Sequence, residues 1–307
     1  MIVMRNWALK VLVVVVFIFA LSLSAAAQED SQTKSGFEDV PQFGGPSSVG
    51  GSLREDDEVK KPWFRLEGID RALNPWFDWK GRLNKNYGLS FGFDYSALGQ
   101  KATDSLGKDN AAGGLFRFFG NWTVIGRESG NTGSVVFKVE NRHRLGTEIA
   151  PQNLGFELGY LGITGTAFSD YGWGLTNLYW KQFLDQGRFS FVVGGVDATD
   201  YVGIYGLTNP WTQFQNLAFL TDPTTPVPNP GLGAAFGAMA TDNIYLVGGL
   251  ADSNGDPNRP DKWFDTFFND HEYFYHAEIG WASSQDRVYL DNIHLTGWYA
   301  DEREEAL

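Results

Sequence analysis

Hydrophobic and polar residues alternate with a period of two over most of the chain. In Tyr87-Gly88-Leu89-Ser90-Phe91-Gly92-Phe93-Asp94-Tyr95-Ser96, every odd position is aromatic or aliphatic and every even position is small or polar. A strand points successive side chains to opposite faces, so this stretch predicts a strand with one apolar and one polar face. The pattern recurs downstream. Phe116, Phe118, Trp122 and Val124 oppose Arg117, Asn121 and Thr123; Val135, Phe137 and Val139 oppose Lys138, Glu140 and Arg142. Phe189, Phe191 and Val193 oppose Arg188 and Ser190. Tyr273, Tyr275, Ala277, Ile279 and Trp281 oppose Glu272, His276 and Glu278, and Ile293, Leu295 and Tyr299 oppose Asn292, His294 and Thr296. Two further strand-like runs cover Leu232–Ala240 and Asn243–Ala251, and Trp173–Phe183 is strand-like without a clear facing.

The connections alternate as well. Asp185-Gln186-Gly187 and Thr241-Asp242-Asn243 read as tight turns, whereas Gly99–Ala111, Asp200–Gly231 and Asp252–Asp270 are long. Short turns at one end, long loops at the other, and large aromatics on the face away from the charges are the marks of an antiparallel transmembrane β-barrel. A soluble β-sandwich is the competing architecture, with the apolar face turned inward. Roughly ten strands are visible after Tyr87. One helix is expected ahead of them, over 74–86, opened by Asn74-Pro75 as N-cap and first-turn proline. It would lie on a membrane surface, beside the first strand, or in the mouth of the barrel.

The amino terminus adds a targeting signal. Arg5 and Lys10, the apolar run Val11–Leu23 and the small residues Ala25-Ala26-Ala27 fit a secretory leader over 1–27. Residues 28–73 read as a flexible polar segment, with Gly44-Gly45-Pro46-Ser47-Ser48 and the acids Glu55-Asp56-Asp57-Glu58. The barrel domain then takes 74–307. It ends on Asp301-Glu302-Arg303-Glu304-Glu305-Ala306-Leu307, with no aromatic last residue. Either the barrel is small or the sequence is truncated.

Charge and cysteine content narrow the chemistry. A net charge of -13, more negative still once the leader's Arg5 and Lys10 are gone, argues against a nucleic-acid partner. With no cysteine, disulfides, thiolate metal sites and cysteine nucleophiles are excluded. His271 and His276 are five apart in a strand-like run, not four apart on a helix as a zinc protease needs. Asp252, Asn254, Asp256 and Asn258 start like a calcium loop, but Pro257 stands where that loop needs glycine and Trp263 where it needs glutamate. Gly231, Gly233 and Gly237 lack dinucleotide-loop spacing, and no nucleophile elbow appears. Asp197 and Asp200 form a carboxylate pair that nothing places across a substrate. No cofactor and no catalytic residue is expected.

The polar faces remain as the functional surface. Arg117, Lys138, Glu140, Arg142 and Arg188 would line a lumen. The long segment 200–231, folded inward, would bring Asn209, Trp211, Gln213 and Gln215 to it. Mixed charge binds hydroxyls by paired hydrogen bonds, and an aromatic ring packs on the C–H face of a sugar.

On Trp76-Phe77-Asp78-Trp79-Lys80-Gly81-Arg82-Leu83, Tyr87-Gly88-Leu89, the stretch Gly187–Asp197, Phe214-Gln215-Asn216, the prolines of 223–230 and Gly231-Leu232-Gly233, the chain resembles the carbohydrate-selective porins of the OprB family. The resemblance implies a sixteen-stranded outer-membrane barrel passing glucose and other sugars by facilitated diffusion, with a constriction of arginine, acidic and aromatic residues. Arg117, Glu140, Arg142 and Trp211 take those places by face and position. Gly195 follows Gly194 where many members have Gly-Arg, which removes one constriction arginine. The partners so implied are small carbohydrates and outer-membrane lipid, with a homotrimer open. A non-selective pore and a secreted sugar-binding sandwich stay as alternatives.

Overall fold

In the computed structural model, the described residues are 43–57, 67–204, 208–211, 213–222, 224–284, 288–289 and 291–302. The leader region 1–27 lies outside them. Nine antiparallel strands form one sheet in sequence order, each bonded to the next. They are β1 (Leu89–Lys101), β2 (Asn110–Ile125), β3 (Gly133–Arg144), β4 (Gly172–Leu184), β5 (Phe189–Val196), β6 (Gly231–Met239), β7 (Ile244–Asp252), β8 (Tyr273–Ala282) and β9 (Asn292–Ala300). Neighbour-to-neighbour pairing throughout is the up-and-down meander of a barrel wall. Among the described residues β1 and β9 are the sheet's two edges. No described helix is long and apolar enough to cross a membrane.

The connections sort by end. Segments 126–132, 185–188, 240–243 and 283–291 join strands at one end; 102–109, 145–171, 197–230 and 253–272 join them at the other. The expected long loop Gly99–Ala111 is shortened at both ends to 102–109, because Gln100 and Lys101 pair with Ala111 and Asn110. A second long connection, 145–171, was not evident from the sequence.

Burial of the two faces is inverted relative to a soluble protein. Phe118, Trp122, Val193, Ile279, Trp281, Ile293 and Leu295 are exposed, while Arg117, Lys138, Glu140, Asn177, His276 and Glu278 are buried. The strand register shows that these sets occupy opposite faces: Arg117 pairs with Glu140 and Phe118 with Val139. An exposed belt of large apolar side chains is costly in water and stable in lipid. The sandwich alternative, with the apolar face covered, does not describe this sheet.

Strand β4 resolves the ambiguous facing. Lys138 pairs with Asn177 and Val139 with Leu175, so Thr176 is extra. This bulge shifts the alternation by one residue. Trp173 is outward before it, Leu178 outward after it, and no single alternating pattern fits both halves.

Among the described residues two helices precede β1. The first, α1 (Val49–Asp57), lies where the sequence suggested structureless tail. Its glycine-rich, polar sequence has little helix propensity; burial of Val49 against the polar side of the sheet holds it. The second, α2 (Glu67–Tyr87), begins seven residues before the expected 74 and carries Pro75 in its interior. Asn74 is therefore not a cap. Interior proline costs about 3 kcal/mol, offset here by packing: Trp76 meets the rings of Phe91 and Phe93 at 5.9 Å, and Trp79 meets Phe91 at 5.9 Å. Of the three placements weighed for this helix, α2 takes the one beside the first strand.

Candidate functional site

The buried polar side chains concentrate where β1 to β4 run side by side. Register places Asp94 opposite Arg117, and Arg117 opposite Glu140. Adjacent strands lie about 4.8 Å apart, so this row reads minus, plus, minus across three strands. Arg117 closes on Asp94 with two hydrogen bonds, Nε to Oδ1 at 3.0 Å and a second nitrogen to Oδ2. A third, at 3.4 Å, goes to the Ser52 hydroxyl of α1. Arg142 donates twice to Glu140 Oε2, at 2.9 and 2.6 Å. The Tyr171 hydroxyl donates to the same oxygen at 3.1 Å, and its ring lies under the Arg142 guanidinium at 4.9 Å. Planar, doubly bonded guanidinium groups are held in fixed orientations.

Two residues further along β3, Lys138 stands between two carboxylates of the β5–β6 connection, Asp197 at 3.7 Å and Asp200 at 3.8 Å. Asn177 donates to Asp200 at 2.9 Å and accepts from the Asp197 amide at 3.0 Å. Burial pushes the Asp200 carboxyl up to about 6, with Lys138 and the Asn177 bond pulling the other way. Asp197 and Asp200 thus anchor the start of the long connection to β3 and β4.

That connection then crosses to β2. The Trp211 ring lies 3.9 Å from the Arg117 guanidinium carbon and packs on the Leu115, Ala167 and Phe168 cluster. Segments 145–171 and 208–220 fold together: Thr166 N donates to Gln215 O at 3.0 Å, and Leu217 N to Ile163 O at 2.9 Å. Trp211 therefore faces the charged row rather than solvent alone. Its indole nitrogen, the Gln215 side-chain oxygen and the Ser169 hydroxyl are buried without a protein partner. Orphaned donors and acceptors beside a row of mixed charge are suited to a polyhydroxyl ligand or ordered water.

The structure brings together Arg117, Lys138, Glu140, Arg142 and Trp211 from the sequence-based set. Asn209 is next to them as support: it is buried, and its side-chain oxygen accepts from Trp211 N at 3.0 Å. Gln213 is exposed, and its amide donates to Asn209 O at 2.9 Å, which closes the turn; nothing joins its side chain to the charged row. Arg188 is not part of the cluster. It pairs with Asp242 at 2.9 Å at the short-turn end, eight residues along the strand from Val196 and so about 26 Å away. It shares the face but not the height. Asp94, Tyr171 and Asn177 were not singled out by sequence; Asp94 alone left a signal, as the one acid on the small-residue face of β1.

Gly195 needs no arginine to be occupied. A Cβ there would run into the Trp263 ring, which is buried and bonded to Asp256 O at 2.8 Å. The calcium-like run is internally satisfied: Asp252 accepts from Thr266 and from the Asn254 amide. Among the described residues no group of three or more His, Asp or Glu is disposed to hold a metal ion.

Residues 123–306 match the family model described as carbohydrate-selective porin, OprB family. The chain belongs to the OprB family of carbohydrate-selective porins. The matched range begins after Trp76–Leu89, so that part of the resemblance stands outside it. Among solved structures this OprB-family chain is similar to one titled "High pH structure of Pseudomonas putida OprB", at 14% identity and a TM-score of 0.52. The alignment covers 73% of this chain and 55% of that one; at such identity the likeness is one of fold. The chain thus spans a little over half of that structure. No curated protein matches it.

Proposed function

We propose that this chain forms the wall and constriction of a passive outer-membrane channel for small carbohydrates, glucose among them, with the apolar belt in lipid. The observation that carries this reading is the row Asp94–Arg117–Glu140, extended by Arg142 and faced by the Trp211 ring. Fixed guanidinium and carboxylate groups at strand spacing can donate to and accept from neighbouring sugar hydroxyls, while an aromatic ring covers the less polar face. Such contacts hold substrate weakly, which lets it leave as well as enter. The chemistry this row supports is recognition and passage.

Swelling of liposomes loaded with the protein tests the reading. Glucose should enter faster than amino acids of similar size; equal rates would leave a non-selective pore. In single-channel recordings, Arg142→Ala should weaken sugar block of the current by about ten-fold, the worth of one charge-assisted hydrogen bond, and Trp211→Ala, which takes the ring off the sugar's less polar face, should weaken it too. Block at the parent sugar concentration would remove that residue from the site.

A further inference from the structure

The inner face of the sheet is not uniformly polar. Phe119, Val136, Tyr179, Val192 and Val196 lie on it between the charged residues and are buried. On the β6–β8 side, Met239, Tyr245, Val247 and Ala282 form a second inner apolar group. A water-filled lumen does not bury apolar side chains, because porin interiors are polar where they meet water. Something covers both groups, and the structure supplies it: the segment Phe43 to Asp57.

Phe43 packs into the β6–β8 group. Gly237 of β6 makes the room, since a Cβ there would meet the Phe43 ring. The chain then turns. Gly45 N donates to Asp200 O at 2.8 Å, and a Cβ at Gly45 would collide with Ile204. Ser48 caps α1, its hydroxyl accepting from Gly51 N at 3.2 Å. Val49, with no exposed surface, packs in the β2–β5 group, and Leu53 rests beside it. Ser52 is the hydroxyl that Arg117 reaches at 3.4 Å. At the far end Asp56 pairs with Lys80 of α2 at 2.6 Å. The segment is therefore tied to the β6–β8 wall, the long connection, the β2–β5 wall and the helix outside β1.

We propose that residues 43–57 are a resident plug: a segment N-terminal to the wall that lies along the inner face, narrows the passage and completes the constriction through Ser52. This rests on the channel reading and adds to it. The constriction then has three walls, namely the strand row, the β5–β6 connection and the plug. Substrate passes between Trp211 and the plug's exposed side, and the plug holds Arg117 in the orientation in which it meets that substrate.

Planar-bilayer recordings of the full chain against a chain lacking 43–57 test this. Deletion should raise single-channel conductance about two-fold or more, because the limiting cross-section widens, and should erase the preference for sugar. Unchanged conductance would overturn the plug. If the deleted chain fails to insert, a second variant decides. The chain has no cysteine, so Gly45→Cys with Ile204→Cys gives one pair at a contact close enough for a disulfide. In membranes this pair should cross-link on oxidation and conduct at the parent level, showing that the segment stays in the wall while current flows. No cross-link in a conducting channel would overturn the proposal. A parent chain that carries no current contradicts the channel reading instead, so the two failures are distinct.

Discussion

Phe118→Arg should destabilise the folded protein in lipid vesicles by about 2–4 kcal/mol, the depth-dependent cost of an arginine on the lipid face of a barrel near the bilayer midplane. Phe118 sits near the middle of β2, between Phe93 and Val139 in register, with its ring outward and exposed. The arginine there has no carboxylate in reach on its own face, because the outward partners are aromatic and aliphatic. The comparison is His294→Arg, an inward position on β9, which should change stability by no more than about 0.5 kcal/mol, as surface substitutions do. Urea titration of both variants in vesicles reads the difference. A Phe118→Arg protein as stable as the parent would mean that this face does not meet lipid.

The second large effect is expected at Glu140. Its carboxylate accepts three hydrogen bonds, two from Arg142 and one from Tyr171, and it stands opposite Arg117 on the next strand. Removing one partner of a buried ion pair leaves the other charge uncompensated and costs about 3–5 kcal/mol. Glu140→Ala should lose that much, Glu140→Gln less because an acceptor oxygen remains. Glu140→Ala combined with Arg142→Ala should recover part of the loss, since no buried charge is then stranded. Urea midpoints of the three variants give the answer; a Glu140→Ala protein unfolding at the parent midpoint would show that the row is open to water rather than built into the wall.

How far the sequence revealed the fold depended on whether local pattern or tertiary packing set each element. The period-two faces of β1, β2, β3, β5, β8 and β9 were legible, because in a one-layer wall each side chain meets either lipid or the inner face. β4 was not, because the extra residue at Thr176 breaks the alternation halfway along. Helix α1 left no trace, since Val49 and Leu53 are apolar only in twos and their burial depends on residues far along the chain. The start of α2 was misplaced because Asn74-Pro75 has the form of a cap, and the Trp76 and Trp79 contacts that carry the helix through the proline cannot be seen in sequence.

The site divides the same way. Arg117, Lys138, Glu140 and Arg142 alternate on strands, so their common face followed from spacing, and register then set their common height. Arg188 satisfied the first condition and failed the second. Trp211 belongs to a long connection whose path follows no periodicity; its approach to Arg117 depends on the anchors at Asp197, Asp200 and Asn177. Tyr171 lies just outside a strand, where facing has no rule.

The central claim is that the apolar face of this sheet is turned to lipid and the charged face inward. Single cysteines placed one at a time through β3, from Val135 to Arg142, and spin-labelled in vesicles, test it most directly. Collision with dissolved oxygen, which concentrates in lipid, should be high at Val135, Phe137 and Val139 and low at Val136, Lys138 and Glu140. The opposite phase, or labels at Lys138 and Glu140 that meet a water-soluble reagent while those at Phe137 and Val139 meet neither, would contradict it.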